Sequence, residues 1–311
     1  MINLKKILFT TDFSPCAQRA LNHAMFLAES FQSELHMLHV IQTHRHDMVE
    51  PMAQVANAEE IYNQLKNNAA GRLQDMIDGK ANGIPVHYEV LCGISIVELI
   101  IEYISINDID VVIIGTHGRQ GINRFIMGSV AEKIVRLAPC SVLTVRCEEV
   151  SELRRIVVPI DFSVFSHKAL RVAVEAAWKY NSELHILHII ERHSFPSIYN
   201  EGVRRGKDWL HDVKARIQEE VEELLKKLGA EGVKTSLHIS EGHPSREIIT
   251  YAQENNADLI IVATHGLRGI NYLLMGSVSE KVVRHSQCPV LTVKSKSIVQ
   301  YLEEQTQKES A

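Results

Sequence analysis

The sequence predicts an α/β protein of two tandem, doubly wound domains, each a five-stranded parallel sheet with helices on both faces. Two observations lead to this fold class. Short apolar runs alternate with longer segments in which apolar residues recur at helical spacing, as in βαβ units. This pattern occurs twice, because residues 116–136 return at 264–284 with the same T-H-G, G-I-N, M-G-S-V, E-K and V-R groups. The offset of 148 residues fits a whole domain and not a solenoid repeat of ~20–50 residues.

The first half opens with a short apolar strand at Lys6–Thr10. Ser14 then supplies an N-cap and Pro15 the first position of a helix. The run Val111–Ile114 is apolar throughout, as expected of a strand buried on both faces. The other predicted elements of this half are strands at Leu35–Val40, Val86–Leu91 and Ser141–Val145, and helices at Glu59–Ile77, Ile96–Ser105 and Ser129–Leu137.

The second half repeats this order from Arg155, with the charged stretch Lys207–Leu228 in place of the second helix. We expect one domain over residues 1–148, a second over 153–296, and a charged tail over 297–311. Early pairs of matching residues are offset by 149 and later pairs by 148, so the second copy lacks one residue. We predict the loss in the turn where Asn107–Asp110 becomes Asn256–Asp258, because turns tolerate deletions.

Composition excludes several function classes. The chain has 311 residues, 45% of them hydrophobic, and a formal net charge of -5, which describes a globular protein with enough chain for two cores. Cations are not gathered into a run and cluster at most as pairs such as Lys5–Lys6, so no basic surface for nucleic acid is expected. Apolar runs are far shorter than the ~20 residues that span a bilayer, and Ile7–Phe9 is too short for a signal peptide. We therefore expect a cytoplasmic protein that binds neither nucleic acid nor membranes.

Cysteines and histidines show no metal or disulfide signature. The 5 cysteines form no C-x-x-C pair and are odd in number. His36 and His39 recur as His185 and His188, yet no H-E-x-x-H motif or carboxylate triad accompanies them. The sequence therefore predicts no metal site.

Ligands of open parallel sheets bind at the carboxyl ends of the strands. Asp12 follows the first strand, and a glycine-rich loop follows the fourth. Glycines let backbone N–H groups approach an anion closely, and the start of the next helix adds the positive end of its dipole. This arrangement favours phosphate as the ligand. The residues of the loop that form its pattern are Gly115, Gly118, Gly128 and Ser129.

A purely structural interpretation of these residues is the alternative. The first two glycines can be simple turn formers, and Ser129–Glu132, like Ser277–Glu280, matches a capping box. Asp12 can cap the first helix together with Ser14. The glycine spacing is not the G-x-G-x-x-G fingerprint and follows the fourth strand, which argues against a dinucleotide-binding oxidoreductase.

With these motifs in both halves, the whole chain resembles a tandem universal stress protein. Nucleotide-binding members of that family carry G-x2-G-x9-G-[S/T], and the first loop, from Gly115 to Ser129, matches it in full. The resemblance implies an adenine nucleotide alpha hydrolase-like fold. It also implies binding of an adenine nucleotide, ATP or AMP, with Mg²⁺ at the phosphates.

The resemblance assigns roles to individual residues. Asp12 and the backbone of Val40 would face adenine, while the loop glycines and Ser129 would hold the ribose and phosphates. Ala263 replaces the first glycine of the second copy, and its methyl group adds bulk where the motif brings bare backbone toward the nucleotide. We therefore expect the second site to be the weaker one. The matching residues of that copy are Asp161, Ile189, Gly266, Gly276 and Ser277.

Two functional classes compete on this fold. The first is a stress or signalling protein that changes conformation or protein partner when a nucleotide binds. The second is an enzyme that hydrolyses ATP or transfers AMP. His117 and His265 are the only repeated candidates for acid–base chemistry, and no S-G-G-x-D-S, H-I-G-H or K-M-S-K-S motif is present. The sequence therefore favours binding with little or no catalysis; a third interpretation leaves the sites empty or filled by an apolar ligand.

The duplicated chain also carries two copies of any pairing surface. We expect an intramolecular pseudo-dimer through the fifth strands, Val142–Val145 and Val290–Val293, whose edges would otherwise be exposed. A homodimer of the chain is the alternative. The sequence identifies no protein partner.

Overall fold

The computed structural model describes residues 4–43, 58–80, 83–116, 127–146, 152–191, 209–264 and 275–294. The chain divides into two compact units, which meet in the sequence between residues 149 and 150. Each unit contains a parallel sheet with helices on both faces, which confirms the predicted fold class. We call them the N-terminal unit and the C-terminal unit.

The predicted strands and helices are present in both units, with ends that differ by at most two residues from the predicted ones. The N-terminal unit contains β1 (Lys6–Thr10), α1 (Pro15–Phe31), β2 (Glu34–Gln42), α2 (Ala58–Ile77), β3 (Val86–Gly93), α3 (Ile96–Ile106), β4 (Val111–Gly115), α4 (Ser129–Leu137) and β5 (Ser141–Val145). The C-terminal unit contains β6 (Arg155–Pro159), α5 (Val164–Tyr180), β7 (Glu183–Ile190), α6 (Trp209–Lys227), β8 (Thr235–Glu241), α7 (Pro244–Glu254), β9 (Leu259–Ala263), α8 (Ser277–His285) and β10 (Val290–Val293).

The strand order positions the ligand end of each sheet. It is β3-β2-β1-β4-β5 in the N-terminal unit and β8-β7-β6-β9-β10 in the C-terminal unit. The strand pairs within each unit are parallel. β1 therefore lies between β2 and β4, and the connections from it and from β4 leave in opposite directions. A crevice for ligands opens at such a switch point, at the carboxyl ends of the strands.

The core is built on the central strands. Ile7–Phe9 of β1 and Val112–Ile113 of β4 are fully buried, and the predicted burial of the run Val111–Ile114 is confirmed. Each such side chain contributes ~1.5–3 kcal/mol of burial free energy. The carboxyl ends of these two strands therefore continue directly from the core.

The start of α1 is as predicted. Ser14 is the N-cap, its Oγ accepts a hydrogen bond from the Ala17 N–H at 3.2 Å, and Pro15 opens the helix. In the C-terminal unit the Ser163 Oγ accepts from the Ser166 N–H at 3.1 Å at the start of α5.

The residue missing from the second copy is not in the predicted turn. Asp108 and Asn256 both have positive φ, and the Oδ2 atoms of Asp110 and Asp258 each accept hydrogen bonds from two backbone N–H groups. The turns after α3 and α7 are therefore equivalent residue for residue.

The difference lies before these helices. Ser95, two residues after Gly93, is the N-cap of α3, whereas His243, directly after Gly242, is the N-cap of α7. Ile94 is thus the residue without a counterpart. The turn between β3 and α3 is where the copies differ in length.

Candidate functional site

A cavity of about 1030 Å³ opens at the carboxyl ends of β1, β2 and β4 in the N-terminal unit. Its volume is at the upper end of the ~300–1,000 Å³ that small-molecule sites occupy. The walls come from the loop after β1, the end of β2, residues of α2 and α3, and the start of α4. Predicted site residues that line it are Asp12, Val40, Gly115, Gly128 and Ser129, while Gly118 and His117 lie outside the described residues.

Asp12 lies in a tight turn between β1 and α1. Its Oδ1 accepts a hydrogen bond from the Ser14 N–H at 3.0 Å, which closes the turn before α1, whereas the bond that caps the helix is made by the Ser14 Oγ. Phe13 has a φ of 62°, in the left-handed region that bulky side chains rarely adopt. Such strain persists only where the surroundings hold it, and it clusters at functional sites. The turn fixes the Asp12 carboxylate in the cavity wall.

A stack of three side chains supports this turn. The His39 ring lies 4.5 Å from the Phe13 ring, and the Arg72 guanidinium carbon lies 3.9 Å from the same ring centroid. His39 Nδ1 is 2.8 Å from the Thr11 carbonyl oxygen, to which its N–H donates. Arg72 also lines the cavity, where its charge suits an anionic ligand. Sequence reasoning missed Arg72, because nothing in the pattern of α2 separates it from the other charged residues of that helix.

The start of α4 presents backbone donors at the cavity. Gly128 is the N-cap, with φ −63° and ψ 143°, and no side-chain hydrogen bond caps the helix within the described part of the chain. The capping-box interpretation of Ser129–Glu132 is therefore wrong, since Ser129 is the first helical residue. The first N–H groups of a helix have no partner within it. Together with the helix dipole they form an anion-binding end.

Gly115 is needed for packing and not for a turn. It is the last residue of β4 and does not have positive φ. A Cβ at this position would lie 3.2 Å from the Ala17 backbone nitrogen and 3.2 Å from the Cys16 Sγ. The missing side chain therefore lets the end of β4 approach the start of α1, and this brings the two loops of the cavity together.

Val40 lies within β2, which continues to Gln42. The Leu38 carbonyl accepts a hydrogen bond from the Thr11 N–H at 3.0 Å, and the ladder between β1 and β2 ends at the Thr10–Leu38 pair. Backbone polar groups alternate sides along a strand, so Val40 directs its own to the same side, beyond the end of β1. That side is the cavity wall.

The C-terminal unit repeats the turn after its first strand. The Asp161 Oδ1 accepts from the Ser163 N–H at 3.0 Å, and Phe162 has a φ of 59°. The His188 Nδ1 lies 2.9 Å from the Ile160 carbonyl oxygen, with the Phe162 and His188 rings 5.0 Å apart. The stack of Phe and His is therefore common to both units.

The other C-terminal site residues are also placed as in the first unit. Gly276 is the N-cap of α8, without a side-chain cap in the described residues, and Ser277 begins the helix. Ile189 lies beyond the Pro159–Leu187 pair that ends the β6–β7 ladder. The predicted Gly266 and His265 lie outside the described residues.

Electrostatics at this second turn are set by burial. Burial lowers the pKa of His188, against the raising effects of its hydrogen bond to Ile160 and of the Asp161 carboxylate. Burial also lowers the pKa of His167, where Asp161 opposes the shift and Lys227 adds to it. The turn therefore holds neutral imidazoles near a carboxylate at neutral pH.

Known proteins are similar to the chain in both halves. The model of the Universal stress protein family matches residues 3–146 and 152–294. A universal stress protein of Methanocaldococcus jannaschii is 34% identical over 145 residues, covering 45% of this chain and 82% of that protein. A universal stress protein of Synechocystis sp. is 24% identical over 309 residues, covering 93% of this chain and 99% of that protein. The second match shows both halves joined in one chain elsewhere.

Solved structures agree on the fold. A universal stress protein from Archaeoglobus fulgidus has a TM-score of 0.65 at 23% identity, with 94% of this chain and 97% of that chain covered. A putative universal stress protein from Pseudomonas aeruginosa has a TM-score of 0.67 at 20% identity, with 97% of each chain covered. In the described part of the chain, no helix has the length and apolar character that crossing a membrane requires.

Proposed function

Because the chain belongs to the universal stress protein family, we propose that its N-terminal unit binds an adenine nucleotide, ATP or AMP. The unit contributes to a stress response or to signalling by binding the nucleotide, with little or no turnover of it. The observation that carries the proposal is a single cavity that joins a fixed carboxylate, Asp12, to the start of α4 at Gly128, where no described side chain caps the helix.

The two ends of this cavity suit the two ends of a nucleotide. At one end, the Asp12 carboxylate accepts hydrogen bonds, and the backbone of Val40 offers a donor and an acceptor to a planar base. At the other end, the backbone N–H groups of Ser129 and Val130 at the start of α4 would bind the phosphates, while the Gly128 N–H donates to the Thr116 carbonyl oxygen at 2.7 Å. Arg72 adds a positive charge to the same wall.

The apolar part of the wall suits a base as well. Leu65 of α2 lines the cavity with 44% of its surface exposed. Ile96 and Ile100 of α3 line it too. A stacked adenine would cover these side chains and remove their apolar surface from water.

Mg²⁺ would enter with the phosphates. It keeps several water ligands and is held mainly by phosphate oxygens in nucleotide sites, so the chain need supply few ligands. Glu132, in the first turn of α4, lines the cavity and is a carboxylate of the kind that holds such an ion.

The proposal of little or no turnover is supported by the cavity's histidine. His39 bonds the Thr11 carbonyl through Nδ1 and packs on Phe13, so its ring is committed to holding the turn. A second, weaker nucleotide site is proposed in the C-terminal unit, around Asp161, Ile189, Gly276 and Ser277, because the turn and the helix start are repeated there.

A charge placed at the start of α4 tests the proposal. Gly128 already has the extended backbone of an N-cap, and a Cβ there makes only ordinary contact, 3.4 Å from the Thr116 carbonyl oxygen. Gly128→Asp should therefore keep or raise stability, because Asp is a favoured N-cap. Its carboxylate takes up the helix donors and repels phosphate. We expect ATP affinity in calorimetric titration to fall at least ~100-fold, which is about 2.7 kcal/mol.

Two variants control for side effects. Gly128→Ala adds a Cβ without charge and should change affinity by less than ~tenfold, and Gly276→Asp makes the same change in the C-terminal unit and should leave the strong site intact. Equal ATP affinity in Gly128→Asp and the unmodified protein would contradict the proposed site. Steady hydrolysis of ATP at ~1–10³ per second would instead favour the enzyme.

A further inference from the structure

Three metal-ligating side chains meet at the opposite end of the N-terminal sheet, away from the cavity. Glu34 is the first residue of β2, and His36 lies two residues later, on the same face of the strand. His87 of β3 is directly opposite His36 in the parallel register. The three side chains therefore lie next to one another on one face of the sheet.

Their ligand atoms are close enough for one ion. Glu34 Oε2 lies 3.7 Å from His36 Nε2 and 3.9 Å from His87 Nε2, and the ligand atoms of all three residues lie within 4.8 Å of one another. Donor atoms around a tetrahedral ion with bonds of ~2.0–2.1 Å are roughly 3.3 Å apart. Small rotations of Glu34, which is half-buried, and of His87, which is exposed, would bring them to that spacing.

His36 is oriented as metal-ligating histidines are. It is buried, with 5% of its surface exposed, and its Nδ1 lies 2.8 Å from the Tyr103 hydroxyl. Its Nε2 is buried without a hydrogen-bond partner among the described residues. A buried polar atom left without a partner costs ~1–3 kcal/mol, unless something satisfies it. With the proton on Nδ1, donated to Tyr103, Nε2 would carry the lone pair, and it is the Nε2 atom that lies 3.7 Å from Glu34 Oε2.

The C-terminal unit provides a natural comparison. His185 Nδ1 bonds the Tyr251 hydroxyl at 2.8 Å and Nε2 lies 3.8 Å from the Glu183 carboxylate, as in the first unit. Ser236, however, occupies the position opposite His185, and the Lys234 Nζ lies 3.1 Å from Glu183. The histidine, tyrosine and glutamate are thus common to both units. The third ligand belongs to the N-terminal unit, where no ion pair of Glu34 with a lysine occurs among the described residues.

We propose that Glu34, His36 and His87 form a binding site for one divalent transition-metal ion of the zinc class. Two imidazoles and a carboxylate are the ligand set that suits Zn²⁺, and three protein ligands leave a position for water. Tyr103 is the positioning residue, because it fixes His36 through Nδ1. The site is separate from the proposed nucleotide site and does not depend on it.

Titration of untagged, full-length protein with Zn²⁺ alone tests the site. The chain has 16 histidines, so the readout is the loss of one equivalent in a matched pair of variants. His87→Ala removes an exposed ligand and should lower the affinity of that equivalent at least ~tenfold, with unchanged thermal unfolding in the absence of metal. His238→Ala removes an exposed histidine of β8 that belongs to no such cluster in the described chain, and should bind as the unmodified protein does.

A spectroscopic measurement identifies the ligand set. Co²⁺ in place of Zn²⁺ should give visible absorption of low-symmetry, four- or five-coordinate cobalt, and this band should be lost in His87→Ala and Glu34→Gln. Tyr103→Phe should keep the band and weaken affinity, since it removes only the bond that orients His36. Zinc binding by His87→Ala with the stoichiometry and affinity of the unmodified protein would overturn the proposal, and so would a cobalt spectrum that Glu34→Gln leaves unchanged.

Discussion

The loops after β1 and β6 are alike, whereas the ends of β4 and β9 differ. Both first loops contain an aspartate that bonds a serine N–H two residues on, followed by a phenylalanine with positive φ. At the fourth strand, Gly115 of the first unit is Ala263 in the second, and the Ser279 hydroxyl donates to the Ala263 carbonyl at 2.6 Å. The two units therefore share the turn that holds the aspartate carboxylate. They differ at the end of the fourth strand, which brings the two loops together.

This comparison changes the explanation for the glycine. The sequence-based interpretation places the methyl group of Ala263 against the nucleotide. At the matching position of the first unit, however, a Cβ on Gly115 would contact the start of α1. Residue 115 therefore acts on the cavity through the distance between β4 and α1. At the corresponding positions of the C-terminal unit, Phe165 and Ser166 replace Cys16 and Ala17, so the packing partners have changed together with the glycine.

Of the substitutions in the loop after the first strand and at the end of the fourth strand, those of the shared aspartates are expected to have the largest effect. Asp12→Ala removes a charged acceptor, and hydrogen bonds to charged groups contribute ~1.5–3 kcal/mol. We therefore expect ATP affinity to fall about 10- to 100-fold in calorimetric titration. Asp161→Ala breaks the same turn in the C-terminal unit and should leave the strong site unchanged. If the two variants weakened the strong site equally, the assignment of that site to the N-terminal unit would be wrong.

A smaller effect is expected from exchanging the residues at the strand ends. Gly115→Ala forces the backbone of α1 away by a few tenths of an ångström, and overpacking of this kind costs ~1–3 kcal/mol. Ala263→Gly loosens β9 and should cost ~0.5–1 kcal/mol, without strengthening the second site. Denaturant unfolding measures the free energy of unfolding of both variants, and ATP titration measures the affinity of the second site. A tighter second site in Ala263→Gly would restore the explanation based on nucleotide contact.

Local signals made most of the fold predictable. The apolar run Val111–Ile114 and the Ser14–Pro15 pair each determine their element with few distant contacts, and both predictions are confirmed. The glycine pattern likewise selected residues that the structure brings to one cavity. The capping-box prediction was wrong, because an S-x-x-E sequence does not show whether the serine is the N-cap or the first helical residue. In this structure Gly128, the residue before the serine, is the N-cap.

Features that depend on distant contacts were not predictable. Phe13, which has positive φ, packs on His39 and Arg72, which lie on other elements. The pairing of His36 with His87 depends on the register between β2 and β3, which the spacing along the chain does not contain. The position of the lost residue was predicted wrongly for the same reason, since the N-caps of α3 and α7 and the backbone bonds of the two aspartates show which turn is unchanged.

The smallest effect is expected at the buried histidine of the second turn. Burial lowers the pKa of His188 in the folded chain, so the unfolded chain binds a proton that the folded chain does not. The contribution of the neutral His188 side chain to stability is therefore fully present above about pH 6.5, the ordinary pKa of histidine. This contribution is lost as the pH falls below that value. His185, whose pKa burial also lowers, acts in the same direction.

Thermal unfolding on either side of that pH measures this contribution. The unmodified chain should melt at a lower temperature at about pH 5.5 than at about pH 7.5, and His188→Gln should show a smaller difference between the two. Because each protein is compared with itself at two pH values, the pH-independent loss of stability from replacing a buried ring cancels. His39→Gln makes the matched change beside Phe13 and reports the loss of the stack in the other unit. A pH difference in His188→Gln as large as that of the unmodified chain would show that other groups control the acid sensitivity of the C-terminal unit.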